Sequence, residues 1–320
     1  MIMIWVLLIS TILDYVLGDP YSWPHPIIFI GKLISFNEKK IRKSKYIPLK
    51  IGGFLLVIIT LVTVVFIISF ILYIANRIHP IINIFITIYL LYTSLAGRCL
   101  DKESKKIYEA LHKENIVEGR KLISYLVGRD TDKLSENEIC RATIETVSEN
   151  TIDGVLAPLF YMLLGFLIGM PVQFVFIYKT INTLDSMVGY IQHPYTEIGY
   201  ASAKLDDIVN FIPARIGSIL MFIGGSLLGY DWKNGFKILI RDRNNHKSPN
   251  AGYPEATVAG LLNIQIGGTN TYFGEKVEKP TIGDNISSLS VKHILDSVKI
   301  MYSSEMITVL IMILIMIFIS

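Results

Sequence analysis

Carboxylates recur at helical spacing in one segment of the chain. Glu145, Glu149 and Asp153 are each four residues apart, so a helix would carry all three on one face. Such a stripe at the mouth of an apolar segment is suited to a divalent cation, because Mg²⁺ takes one or two carboxylates together with substrate phosphates. The alternative is a solvated helix end, where acids near the N-terminus of the next helix are favourable. Spacing alone leaves both interpretations open.

A second polar group follows an apolar run. Asn182 and Asp185 are three residues apart, so on a helix their side chains are neighbours. Asp206 follows later in the sequence, and ionisable groups at membrane depth are costly and therefore functional candidates. The alternative is a helix cap with an ion pair between Lys204 and Asp207.

A third group, residues 241–255, is rich in cations and in turn-forming residues and precedes the apolar segment 256–264. Backbone N–H groups in such a loop can face an anion, and nearby arginine and lysine add charge. The loop is therefore predicted to be a phosphate cradle, a basic surface loop being the alternative. A second glycine-bearing loop at 267–272 favours the cradle. The P-loop pattern G-x-x-x-x-G-K-[ST] does not occur in the sequence.

The elements that position these groups are predicted to be membrane helices. The chain has 320 residues, of which 52% are hydrophobic, and its mean hydropathy is +0.49. A spanning helix needs about 20 mostly apolar residues. The segments long enough, or nearly so, are 1–17, 51–75, 81–96, 155–178, 208–229 and 306–320. The first lacks a basic start and a small-residue cleavage site, so it is predicted to be a retained helix and not a signal peptide.

The expected fold class is therefore all-α, a polytopic membrane helical bundle forming one catalytic domain over residues 1–320. Amphipathic helices are expected between residues 104 and 144, where leucines alternate with charges. Lysine and arginine concentrate in 32–50, 98–141 and 233–299, which the positive-inside rule places in the cytoplasm. We expect a multi-pass protein of the cell membrane with a cytoplasmic active site.

The number of crossings between Arg141 and Lys233 must then be even. Two simple crossings satisfy this condition. Two re-entrant pairs also do, turning at Gly169-Met170-Pro171 and near Gly224-Gly225, because glycine and proline punctuate helices. The re-entrant arrangement is preferred because it gathers the polar motifs on one face, and broken backbone is tolerated where protein or water covers it.

Composition excludes several classes of site. A net charge of +3 without long charge blocks gives no indication of nucleic-acid binding. Cys99 and Cys140 lie far apart in the sequence, which leaves neither a disulfide framework nor a thiolate metal cluster. Any metal is expected to have oxygen ligands.

Five motifs, in order, are similar to those of the CobD/CbiB family of cobalamin biosynthesis. They are LGDP at 17–20 with PHP at 24–26 and Gly31, ENTIDG at 149–154 with Ala157-Pro158, NTLDSMVGY at 182–190, ASAKLDD at 201–207, and SPNAGYPE at 248–255. The resemblance covers roughly residues 13 to 284. It implies an adenosylcobinamide-phosphate synthase, which joins adenosylcobyric acid to (R)-1-amino-2-propanol phosphate through an ATP-dependent amide bond. An acyl phosphate is the simplest intermediate, and its formation depends on Mg²⁺ and cationic stabilisation.

The candidate residues are chosen by side-chain chemistry from these motifs and from the three polar groups described above. The candidate catalytic carboxylates are Glu149, Asp153, Asp185, Asp206 and Asp207, of which Glu149, Asp153 and Asp185 are candidate Mg²⁺ ligands. The candidate binders of substrate and phosphate are Asn150, Asn182, Lys204, Arg215, Arg241, Arg243, Lys247, Ser248, Asn250 and Gly252.

The implied cofactor is Mg²⁺, with ATP as co-substrate, and the implied partners are the corrinoid, the aminopropanol phosphate and the lipid bilayer. Association with other cobalamin-biosynthesis enzymes is a further expectation. Two alternatives stay open at this point. A transporter also carries intramembrane carboxylates and broken helices, and a membrane prenyl- or alcohol-phosphate transferase uses paired aspartate motifs around Mg²⁺, which this sequence contains only in part.

Overall fold

The computed structural model describes residues 2–20, 23–190, 192–272 and 274–319. Met1 and Ser320, the outer ends of the first and last predicted segments, lie outside the described residues. The chain is mainly helical, which confirms the predicted fold class. Its helices are α1 (Ile2–Leu17), α2 (Pro26–Lys43), α3 (Leu49–Ile78), α4 (Pro80–Tyr92), α5 (Gly97–His112), α6 (Ile116–Ile123), α7 (Glu136–Thr151), a π-helical turn (Ile152–Leu156), α8 (Ala157–Ile168), α9 (Pro171–Val188), α10 (Tyr200–Val209), α11 (Phe211–Leu227), α12 (Trp232–Asp242), α13 (Gly252–Leu262) and α14 (Lys292–Ile319).

Strands are few and short. β1 (Ile266–Gly267) pairs antiparallel with β4 (Thr281–Ile282), and β2 (Asn270–Tyr272) pairs antiparallel with β3 (Glu275–Val277). Together they fold the segment between α13 and α14 into two small ladders. This segment contains the glycine-bearing loop 267–272.

The chain divides into two compact units. Unit 1 comprises Met1–Ala96, Ala157–Asn210 and Met312–Ser320, and unit 2 comprises Gly97–Leu156 and Phe211–Ile311. In unit 1, α9 packs against α2, α3, α4, α8 and α10. In unit 2, α13 packs against α7, α11 and α12. Each unit therefore has a central helix that bears one of the sequence motifs.

Among the described residues, four helical stretches are long and apolar enough to cross a membrane, and they fit a membrane protein. Two of them combine successive helices, α4 with α5 and α7 with α8. The four are Leu49–Ile78, Pro80–His112, Glu136–Ile168 and Lys292–Ile319, and a fifth is counted if the bent pair Tyr200–Val209 and Phe211–Leu227 is one span. Two of these continue through residues that were predicted to be polar and amphipathic. The amphipathic helices expected after residue 104 are confirmed by α5 and α6, which bury Ile107, Leu111 and Ile123.

The predicted turn at Gly169-Met170-Pro171 is confirmed, because α8 ends at Ile168 and α9 begins at Pro171. Gly169 has φ +78°, a backbone conformation that glycine adopts at little cost. Met170 N–H donates to the Gly165 carbonyl over 2.7 Å. The apolar run 155–178 is therefore two helices joined by a tight turn and not one.

The predicted turn near Gly224-Gly225 is wrong, because α11 runs without a break from Phe211 to Leu227. These glycines serve packing instead. A Cβ on Gly224 would lie 3.0 Å from the Ser303 Oγ, and one on Gly225 would lie 2.5 Å from a Leu261 methyl carbon. The lack of side chains lets neighbouring residues approach the helix closely.

The last predicted apolar segment, which starts at Met306, is the final part of a longer helix. Helix α14 begins at Lys292, well before the apolar run. Its first half buries Ile294, Val298 and Met301, and the charged residues Asp296 and Lys299 lie between them. Because charged and apolar residues are mixed in this part of the helix, it does not stand out in the sequence as an apolar run.

We expect Gly165→Ala to destabilise unit 1. A Cβ at this position would lie 2.5 Å from the Pro171 Cα and 2.7 Å from the Met170 carbonyl oxygen, and backbone atoms cannot move aside as a flexible side chain can. The expected loss in the free energy of unfolding is about 1–3 kcal/mol. Thermal unfolding in detergent measures it.

The matched control is Gly31→Ala, whose Cβ would meet only the Met187 Sδ at an ordinary 3.5 Å. This variant should unfold at or slightly above the wild-type temperature, because alanine is favoured over glycine inside a helix such as α2. Equal unfolding temperatures for the two alanine variants would contradict the proposed packing of the α8–α9 turn.

Candidate functional site

A polar pocket of about 280 Å³ lies in unit 2. Its walls are formed by the α6–α7 connection, one face of α7, the α12–α13 loop, the start of α13 and the connection between β3 and β4. The lining residues are Leu126, Val127, Gly128, Arg129, Glu145, Thr146, Glu149, Asn150, His246, Glu255 and Lys279.

Local sequence explains why α7 presents its carboxylates here. The helix starts at a capping box, in which the Ser135 side chain accepts from the Glu138 N–H while the Glu138 carboxylate accepts from the Ser135 N–H. From this fixed start, Glu145 and Glu149 fall one helical turn apart and both line the pocket.

A buried ion pair joins α7 to the loop before it. The Arg129 guanidinium donates to Glu145 Oε2 over 2.8 Å and also donates to the Asn270 side-chain oxygen. Glu145 Oε1 accepts from the Gly267 N–H over 2.8 Å. Arg141 donates to the same Asn270 oxygen over 3.0 Å. Glu145 therefore fixes the glycine-bearing loop against α7, which is a structural role.

Glu255, the last residue of the SPNAGYPE motif, is only 3% exposed. Its Oε2 has no hydrogen-bond partner among the described residues. Burial raises the pKa of this carboxyl well above its usual range, and the nearby charges of Glu145 and Glu149 raise it further. A carboxyl of this kind is poised to change its charge when a cation arrives.

His246 stands next to Glu255, with its Nε2 3.9 Å from Glu255 Oε1. Burial lowers the pKa of His246 to about 4, so the ring is neutral at physiological pH. Its Nδ1 accepts from the Ser248 N–H over 3.0 Å, and a backbone N–H can only donate. The ring proton is therefore on Nε2, on the side of Glu255.

Only some of the candidate residues in the ENTIDG motif line the pocket. Glu149 and Asn150 line the pocket, whereas Asp153 does not. The prediction that Glu145, Glu149 and Asp153 share a face assumed a continuous α-helix. Asp153 instead lies in the π-helical turn, where hydrogen bonds from i to i+5 change the direction in which side chains point.

The guanidinium group of Arg215, a predicted phosphate binder, is fixed by two aromatic rings and two hydrogen bonds. It lies 3.4 Å from the Phe211 ring centroid and 4.5 Å from that of Tyr253. It also donates to the Phe211 carbonyl over 2.6 Å and to Asn250 Oδ1 over 3.2 Å. Ser248 Oγ accepts from the Asn250 N–H over 3.2 Å, so the loop is closed by its own side chains.

The other cations of this loop also have partners or lie outside the pocket. Arg241 forms two 2.7 Å hydrogen bonds to the Asp242 carboxylate and a 2.8 Å ion pair with Asp284. Arg243 donates to the Ile240 carbonyl, and Lys247 is exposed. Gly252 lies against the Arg243 carbonyl, which a Cβ would approach to 2.3 Å. The phosphate-cradle hypothesis for this loop stays a prediction.

Unit 1 brings together part of the second motif. Asn182 Nδ2 lies 3.4 Å from Asp206 Oδ1, and the other Asp206 oxygen accepts from Asn210 over 3.0 Å. Lys204 and Asp207 form an ion pair of 3.2 Å, as the helix-cap interpretation anticipated. Asp185 lies on α9, one turn after Asn182.

The predicted Mg²⁺ ligands belong to different parts of the chain, Glu149 and Asp153 to unit 2 and Asp185 to unit 1. Across the described ranges, no three His, Cys, Asp or Glu side chains form a group that could hold a metal ion. The predicted metal role stays a prediction.

Four ionisable pocket residues are not among the candidates chosen from sequence: Arg129, His246, Glu255 and Lys279. Glu255 and His246 lie in the third polar group, where the cations and turn-forming residues indicated a phosphate cradle and not a buried carboxyl. Arg129 and Lys279 lie in ordinary charged stretches, and only the fold brings them to the pocket.

Comparison with known proteins adds to this geometry. The sequence model of the CobD/CbiB protein family matches residues 7–301. The chain belongs to the CobD/CbiB family. It is 47% identical over 308 residues to the cobalamin biosynthesis protein CobD of Clostridium tetani, covering 95% of each chain. It is 45% identical over 318 residues to CobD of Clostridium acetobutylicum, covering 98% of each.

A CbiB relative from Salmonella choleraesuis is 41% identical over 306 residues, covering 94% of this chain and 93% of the relative. No solved structure matches the chain. The family places the protein in cobalamin biosynthesis, which confirms the resemblance found in the five motifs.

We expect Glu255→Gln to become more stable than wild type as pH rises. The pKa of Glu255 is raised in the folded protein above the ordinary 4.5. Its stabilising contribution is therefore complete below pH 4.5 and is lost as pH rises towards the folded-state pKa, by at most about 1.4 kcal/mol per pH unit. Glutamine stays neutral and avoids this loss.

Thermal unfolding in detergent between pH 4.5 and 9 measures the effect as a growing difference in Tm between variant and wild type. The control is Glu109→Gln, which removes an exposed carboxylate of α5 and should give a flat difference. A flat difference for Glu255→Gln as well would show that Glu255 ionises as easily in the folded state as in the unfolded state.

Proposed function

We propose that the protein joins adenosylcobyric acid to (R)-1-amino-2-propanol phosphate in an ATP-dependent reaction that gives adenosylcobinamide phosphate. The observation that carries the proposal is membership of the CobD/CbiB family over nearly the whole chain. The five motifs and the polar pocket in unit 2 support it.

The chemistry of the reaction fits such a site. The γ-phosphoryl group of ATP passes to a carboxylate oxygen of the corrinoid, which releases ADP and leaves an acyl phosphate. The amine nitrogen then attacks the carbonyl carbon, the bond from carbon to phosphate oxygen breaks, and inorganic phosphate leaves. The ammonium form of the amine must lose one proton before attack and a second proton on forming the amide, and the phosphate takes up the latter. Phosphoryl transfer depends on positioning and electrostatics more than on covalent protein groups.

Mg²⁺ is expected to enter with the phosphates of ATP. The described residues offer no closed protein cage for the ion, and Mg²⁺ usually keeps several waters and binds through substrate phosphates. We therefore assign no step to a metal held by the protein alone.

In detergent and with Mg²⁺ and ATP present, the purified protein is expected to join adenosylcobyric acid to aminopropanol phosphate. One inorganic phosphate should be released for each amide formed. Mass spectrometry of the corrinoid and a phosphate assay measure the two products. Product formed equally well without ATP would refute the proposal. So would a failure to form product in a preparation that instead takes up the substrates into sealed vesicles, since that result would identify a transporter.

Removal of divalent cations by a chelator is expected to abolish turnover and to leave Tm unchanged, because the ion accompanies ATP and does not hold the fold. Excess Mg²⁺ should restore the rate. A large fall in Tm on chelation alone would instead indicate a structural metal.

A further inference from the structure

Two residues that line the pocket in unit 2 each have one buried polar atom without a hydrogen-bond partner in the described part of the chain, one a donor and the other an acceptor. Among the described residues, Glu255 Oε2 has no donor and Arg129 Nε has no acceptor. The two residues are 3% and 8% exposed. Buried polar atoms in native proteins are nearly always hydrogen-bonded, so an exception calls for a ligand or another explanation.

The charges lining the pocket also include an excess of carboxylate. Arg129 and Glu145 neutralise each other through their 2.8 Å contact, and His246 is neutral. The remaining ionisable lining residues are Glu149, Glu255 and Lys279. These three residues bring one more carboxylate than cations, so the lining favours a ligand with a positively charged group. The Nε–H of Arg129 lacks an acceptor among the described residues and offers a donor to an anionic group.

The size of the pocket restricts the ligand. Pockets for drug-sized molecules measure roughly 300–1,000 Å³, and this one is about 280 Å³. A nucleoside triphosphate or a corrin ring is too large to enter whole. A small molecule with both a cationic and an anionic end matches both the volume and the charges.

We propose that this pocket binds the amine substrate as a zwitterion, with its ammonium group against Glu255 and its phosphate towards Lys279 and Arg129. That the zwitterion is an aminoalkyl phosphate rests on the proposed function. The pocket geometry by itself points to a small ω-ammonium anion.

The test removes the proposed contact between the ammonium group and Glu255, first by changing the ligand and then by changing the protein. Binding of aminopropanol phosphate to the purified protein is measured by isothermal titration, without ATP or corrinoid, and compared with binding of 1,2-propanediol 1-phosphate, in which a hydroxyl replaces the ammonium group. Loss of a hydrogen bond to a charged group corresponds to about a 10- to 100-fold change in Kd. Wild type should therefore prefer the amine by that factor, and Glu255→Gln should bind both compounds with similar affinity.

Glu255→Asp keeps the charge and should retain part of the preference, and Glu109→Gln should retain all of it. An equal loss of affinity of Glu255→Gln for both compounds would overturn the assignment, because Glu255 would then only shape the pocket. Wild-type protein that does not distinguish the compounds, or binding of Mg²⁺ alone that disappears in Glu255→Gln, would also overturn it.

Activity provides a separate measurement. In amide synthesis, Glu255→Gln should raise KM for the amine at least 10-fold while KM for ATP stays within about twofold. Hydroxylamine is largely uncharged at pH 7 and traps acyl phosphates, so Glu255→Gln should reduce formation of the corrinoid hydroxamate much less than formation of the amide. An unchanged KM for the amine refutes the pocket assignment alone, whereas absence of hydroxamate and amide from wild type refutes the proposed function and leaves the binding result standing.

Discussion

The buried contact between Arg129 and Glu145 is the interaction on which the site in unit 2 depends. One carboxylate accepts hydrogen bonds from a guanidinium and from the backbone of Gly267, and the same guanidinium reaches Asn270. Two separate stretches of chain, the loop with Arg129 and the loop with Gly267 and Asn270, are thereby fixed to helix α7. A buried ion pair contributes little net stability compared with a well-packed apolar pair, but removal of one partner is strongly destabilising. Its value here lies in defining where the loop carrying Gly267 and Asn270 must lie.

Glu255 lines the same pocket, but its carboxyl group differs from that of Glu145 in its hydrogen bonds. Glu145 has donors for both oxygens, whereas one oxygen of Glu255 has none among the described residues. Desolvation without compensation is unfavourable to folding, and residues that are retained despite such a cost are typical of functional sites. Two glutamates of one pocket therefore divide their roles according to their hydrogen bonds, one holding the loop and the other left for a ligand.

The fold class, the turn at Gly169 and the family were predictable from sequence because each depends on local composition or on an ordered set of motifs. The uninterrupted path of α11 was not, since Gly224 and Gly225 are equally compatible with a turn and with close packing until the neighbours Ser303 and Leu261 are known. Asp153 was misplaced because a π-helical turn has no clear sequence pattern. Arg129 and Lys279 were missed for a different reason: long-range contacts alone bring them to the pocket.

The hydrogen bond from the Ser248 N–H to His246 has a consequence for how the protein responds to acidity. Histidine is the side chain that usually senses changes near neutral pH, and this one lies beside a carboxyl in a charged pocket. Its Nδ1 is already occupied by a backbone donor, and burial disfavours a second proton. The ring therefore acts as a fixed dipole, with the same hydrogen-bonding pattern in an acidified cell as in a resting one. In this pocket the raised pKa makes Glu255 the group that responds to pH, and the histidine keeps the loop geometry constant while Glu255 gains or loses its proton.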